Sequence, residues 1–171
     1  KGLPNGSDDR YTMHLLNTIL GGGVSSRLFQ EVREKRGLAY SIYSFSLSYL
    51  DTGVWTVCAG TDKKNVNEVV SIIASQIRGL PDSLTDNELR KAKDQLKGNL
   101  ILALESTNSK MINIARQEIY YGKYFSPEDI INAVESVTLE EMKRLSKRLI
   151  ENKPLALTVY GPIKKLKASL I

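Results

Sequence analysis

Among its 171 residues the chain has one histidine, His14, and one cysteine, Cys58. Those two numbers exclude much chemistry. A zinc site built from three His and Cys ligands cannot form within the chain. A Ser-His-Asp or Cys-His nucleophile site is not expected either. No internal disulfide is possible, which is compatible with a reducing compartment. No apolar run reaches the ~18 residues that a membrane span needs. The opening segment, KGLPNGSDDR, has no apolar signal-peptide core and no initiator Met, and the chain reads as a piece of something longer. Asn5-Gly6-Ser7 fits a glycosylation sequon but reads as a turn. There is no Gly-Lys-Ser/Thr phosphate loop, no spaced dinucleotide fingerprint, no RNA-binding aromatic motif and no zinc-finger spacing.

What is present is an ordinary globular composition, 42% hydrophobic and 25% charged, with a formal net charge of +5. Basic clusters stand at Arg33–Arg36, Arg90–Lys97, Lys143–Arg148 and Lys164–Lys167. Most are interleaved with acids at helical spacing, as in Arg27–Glu31 and Glu31–Lys35, and read as solvated faces, not a nucleic-acid surface.

The periodicities predict an α+β domain spanning residues 1–171. Ser7 and two acids open a helix with Met13, Leu16, Ile19 and Leu20 on one face. His14 is expected to pack or to lie at the surface. After three glycines, Ser25 or Ser26 caps a second helix carrying Leu28, Phe29 and Val32, closed by Gly37. Residues 39 to 49 alternate as a strand. The apolar set Tyr43, Phe45, Leu47 and Tyr49 is expected under the helices. Tyr40, Ile42, Ser44, Ser46 and Ser48 are expected on the opposite face. A turn at Asp51-Thr52-Gly53 returns the chain as a second strand over 54–61, where Cys58 reads as a small buried hydrophobe. Asp62 caps the next helix. Capping boxes at Thr85/Glu88 and Thr138/Glu141 start two others, and Ser126-Pro127 starts a short one. Leu155–Tyr160 reads as a last strand. Gly21, Gly22 and Gly23 fit a helix C-cap and a close helix–helix corner.

LGGGVSSRLFQEVREKRGLAYSIYS resembles a run in the pitrilysin and insulinase superfamily of zinc peptidases, nearest the mitochondrial processing peptidase branch and its bacterial relatives. The likeness continues through LRKAKDQLKGNLILALESTNSKMINIARQEIYYGKYFSPEDIINAVESVTLEEMKRL and ends at LALTVYGP. The resemblance implies a mixed, largely antiparallel sheet with helices packed on one face, its first strand missing just before KGLP. It implies the C-terminal half of a two-domain peptidase. The zinc motif, His-x-x-Glu-His, belongs to the N-terminal half, so zinc is the cofactor of the full-length enzyme and none is expected to be bound here. It also implies a peptide substrate, the N-terminal zinc-binding domain as partner, and a homodimer or heterodimer with a related chain, with no nucleic acid or membrane. A bacterial cytoplasm is the expected compartment, ahead of a mitochondrial matrix.

The family has an Arg and a Tyr seven positions apart in this half, and they match Arg33 and Tyr40 within REKRGLAY. By themselves these residues read as a surface helix residue and an ordinary strand aromatic. By the resemblance they are catalytic. They contact the substrate backbone and the developing oxyanion at a zinc site held by a partner chain. The alternative is a non-catalytic scaffold that has lost the zinc site, like the core subunits of a respiratory complex. An intact His-x-x-Glu-His upstream of Lys1 favours the enzyme.

Overall fold

A computed structural model describes residues 1–163. The order is α1 (Arg10–Gly21), a short π-helix (Phe29–Glu34), β1 (Ala39–Ser48), β2 (Gly53–Thr61), α2 (Val66–Ser83), α3 (Asp86–Ala103), α4 (Thr107–Tyr121), α5 (Pro127–Ser136) and α6 (Leu139–Ile150). The class is α+β, with β1 and β2 an antiparallel pair and helices on one of its faces. The basic cluster Lys164–Lys167 lies outside the described residues.

Helix starts follow local chemistry. Thr85, Ser126 and Thr138 each form a capping box, with Glu88, Asp129 and Glu141 as the returning acids. Gly122 ends α4 in the left-handed conformation, φ 62°, which costs glycine little. Leu15, Leu16, Leu80, Met142 and Leu145 form the centre of the main core, under α1, α2 and α6. A second cluster, with Leu20, Leu28, Val32, Ile42 and Val69, joins α1 and the π-helix to the hairpin.

The hairpin presents the opposite face from the one its hydrophobicity predicts. Ile42 and Ser44 are buried, whereas Tyr43 and Leu47 stay half exposed and Phe45 is only partly covered. The cause is α1. A Cβ on Gly21 would sit 2.5 Å from the Ser44 backbone nitrogen, so the helix crosses the strand at a distance that only small residues allow. Ser44 Oγ donates to Asn17 O at 3.2 Å, and Trp55 Nε1 donates to Asn17 Oδ1 at 3.0 Å. Gly21 therefore serves a close helix–strand contact, not a helix–helix corner. Gly22 is the C-cap of α1 without a left-handed backbone. Cys58, paired with Tyr43, lies on the outer face and is half-buried, not a core residue.

The expected strand at Leu155–Tyr160 does not form; those residues run without ladder bonds. They follow the outer edge of β2 across a groove floored by α2, which holds cavities of about 340 and 280 Å³. Gly2 N donates to Gly53 O at 2.7 Å, so the first residues sit on that edge at one end of the groove. Leu155–Tyr160 and β2 line this space together and share no ladder bond.

Candidate functional site

The π-helix is the first of two backbone irregularities that shape the site. Lys35 N donates to Gln30 O, five residues back, and Leu38 N closes onto Val32 O after Gly37 turns at φ 60°. Single π turns inside helices are frequent at functional sites. Here the winding buries Leu28 and Val32 and leaves Arg33 exposed. Neither Ser25 nor Ser26, the two expected caps, caps the π-helix with a side-chain hydrogen bond, and Ser26 is buried with its hydroxyl unpartnered.

The second irregularity is a bulge at Tyr40. Ala39 pairs with Thr61 and Ser41 with Gly60, so Tyr40 has no opposite residue. Strict alternation from Ile42 would turn Tyr40 into the core. The bulge takes it out, and it is 85% exposed. Tyr40 is thus accessible, but for a different reason from the one expected. Its neighbours Ile42 and Ser44 form the core face, and one extra residue frees it. Gly60 is the sequence signal that could have shown this, since an isolated glycine in a strand marks a bulge.

Together the irregularities bring Arg33 and Tyr40 into contact, with the guanidinium carbon 5.5 Å from the Tyr40 ring centroid. The same carbon lies 4.8 Å from the Phe29 ring. In the sequence Phe29 reads only as an apolar helix residue. Glu31 instead engages Lys35 and Arg36, each at 2.5 Å. The hydrogen bonds from Lys35 and then Arg36 hold the Glu31 carboxyl below its ordinary value. Among the described residues no hydrogen bond or ion pair engages the Arg33 guanidinium or the Tyr40 hydroxyl. Five guanidinium donors and one phenol donor thus face outward, a set suited to a carbonyl oxygen gaining negative charge.

Arg27 anchors the segment from below. It does not pair with Glu31, as helical spacing suggested. It makes a bidentate bridge to Glu88, with Nε to Oε1 at 2.6 Å and Nη2 to Oε2 at 2.8 Å. It also donates to Ser83 Oγ and Ser83 O. Burial pushes the Glu88 carboxyl up, but the bonds from Arg27 and Thr85 outweigh it, and its pKa falls below 4.5. Because the folded value is the lower one, the contribution is complete above pH ~4.5 and is lost as pH falls through the folded value. Arg27→Lys, which cannot keep the fork, is expected to lower stability by about 1 kcal/mol at pH 7. The deficit should shrink as pH falls through the folded Glu88 value, where the carboxylate of the wild type is also lost. Urea denaturation across pH checks both.

No group of three or more His, Cys, Asp or Glu placed to hold a metal ion occurs among the described residues. The residues of this site do not fit a zinc centre. His14 keeps solvent access at the mouth of an apolar cavity of about 310 Å³ between α1, α3 and α5. Loss of hydration there, and then the Arg10 charge, lower its pKa below 6.5, and neither Arg33 nor Tyr40 lines that cavity. No helix among the described residues is long and apolar enough to cross a membrane.

Residues 1–96 match the family model of the peptidase M16 inactive domain. Over 169 residues, 98% of the chain, the sequence is 40% identical to an uncharacterized zinc protease of Streptomyces coelicolor. It is 43% identical over 95% of its length to the uncharacterized zinc protease YmxG of Bacillus subtilis. The chain spans only 37% and 40% of those two relatives. The crystal structure of a peptidase M16 inactive domain from Pseudomonas fluorescens superposes with a TM-score of 0.70 at 27% identity, covering 86% of this chain and 35% of that one.

Proposed function

Since the chain belongs to the peptidase M16 inactive-domain family, we propose that it is the substrate-binding and transition-state-stabilising half of a zinc metalloendopeptidase acting on peptides or unfolded segments. The relatives named zinc proteases are far longer than this chain, which supports a parent with a further, metal-binding N-terminal domain. The observation that carries the reading is the Arg33–Tyr40 pair. A π turn and a bulge place two exposed side chains in contact and leave their donors free. Such donors stabilise the oxygen of a peptide carbonyl as it becomes tetrahedral. Beyond Tyr40, the half-exposed Tyr43 and Leu47 give the same strand an apolar outer face, on which an extended peptide can lie. The zinc belongs to the other half, and the parent works as a homodimer or heterodimer in a bacterial cytoplasm.

The test is a chelation experiment on the full-length parent. Hydrolysis of an unfolded peptide should stop on chelation and return with zinc. A folded parent that holds no zinc and cuts no peptide would instead favour the scaffold role.

A further inference from the structure

We propose that Phe29 is a positioning residue for Arg33, holding the guanidinium over the site by a cation–π contact. The inference rests on the function proposed above. Arg33 is exposed, and among the described residues no acid or carbonyl engages its guanidinium. A long side chain of that kind ordinarily samples many rotamers. Here two rings restrain it, Phe29 at 4.8 Å and Tyr40 at 5.5 Å from the guanidinium carbon. Tyr40 itself contacts substrate in the proposed function, so Phe29 is the support that stays in place. It is suited to that. Phe29 opens the π-helix that carries Arg33, one turn earlier, and is itself partly buried beside Leu28. A ring face restrains the cation without consuming any of its donors, whereas a carboxylate there would occupy the fork and neutralise the charge. The π winding gives both residues their directions, so the irregular turn and the aromatic act together.

The test uses the full-length parent with two readouts. One is kcat/KM on a quenched fluorogenic peptide. The other is the affinity of a fluorescein-labelled peptide, by anisotropy, with the metal removed by chelator. Phe29→Leu should lower kcat/KM and weaken peptide affinity by about two- to fivefold, the size of an exposed cation–π contact. Phe29→Tyr, which keeps the ring, should match wild type. Pentafluorophenylalanine at position 29 keeps the shape and reverses the ring's charge distribution, and should behave like Phe29→Leu even where the leucine variant folds poorly. In an Arg33→Ala background neither change should have a further effect. An equal loss in that background would make Phe29 merely structural and overturn the inference. So would a silent Phe29→Leu where Arg33→Ala is costly. A silent Arg33→Ala, by contrast, would overturn the proposed function and the inference together.

Discussion

Tyr40→Phe in the full-length parent is expected to lower turnover a hundred- to thousandfold, or about 2.7–4 kcal/mol of transition-state stabilisation, the loss typical of one oxyanion donor. The substitution removes one hydroxyl. That hydroxyl has no partner among the described residues, and the ring is 85% exposed, so the fold does not depend on it. The ring that faces Arg33 is retained. KM should therefore change little while kcat falls, the pattern of a contact made mainly in the transition state. Zinc content and melting temperature should match wild type. Tyr120→Phe, half exposed on α4, is the control and should be silent. Peptide hydrolysis under saturating substrate checks both. Unchanged turnover in Tyr40→Phe would return Tyr40 to an ordinary strand aromatic.

Substitutions at three helical glycines should separate by sign. At Gly21 a Cβ would meet Ser44 N at 2.5 Å and Ser44 Oγ at 2.7 Å. The first of these is backbone, so α1 or β1 must move. Gly21→Ala is expected to destabilise by about 1–3 kcal/mol, the usual cost of overpacking. At Gly79 in α2 and Gly98 in α3 nothing lies within 4 Å of the added carbon. Alanine there should stabilise by about 0.4–1 kcal/mol, because it narrows the unfolded ensemble without a clash. Urea denaturation of the three variants is the check. Gly21→Ala should also loosen the site, since the same contact sets the height of β1 under α1.

Much of this fold was legible because its signals are local. Capping boxes at Thr85 and Thr138, the Ser126-Pro127 start and the stop at Gly37 depend on a few adjacent residues, and each stands where the pattern puts it. The hairpin's orientation was not legible from hydrophobicity. Burying the greasier face is a sound default, but α1 needs to approach closely at Gly21, and only the side with Ser44 is small enough. That requirement joins residues far apart in sequence, and alternation carries no trace of it. The strand at Leu155–Tyr160 failed for a related reason. Pairing needs a neighbour at ladder distance, and Leu155–Tyr160 meets β2 only across the cavities that both segments line.

The candidate site is legible only through the family resemblance, by the seven-residue spacing of Arg33 and Tyr40. Its geometry is not. A π turn at Phe29–Glu34 leaves no clear mark on a short apolar pattern, and the bulge at Tyr40 was hinted at only by Gly60 across the ladder. Phe29 was hidden because a phenylalanine among Leu28 and Val32 looks like one more core residue.

In the proposed function Arg33 and Tyr40 act at a zinc held by a partner chain. Two inactive full-length parents test it most directly. One lacks the zinc ligands of the N-terminal domain, and the other carries Tyr40→Phe together with Arg33→Ala. In a mixed dimer, one chain brings an intact metal site and the other an intact pair. Mixing is expected to restore peptide hydrolysis, towards one good site per mixed dimer. Activity that stays at the level of the separate parents, although mass measurement shows that mixed dimers have formed, would contradict it.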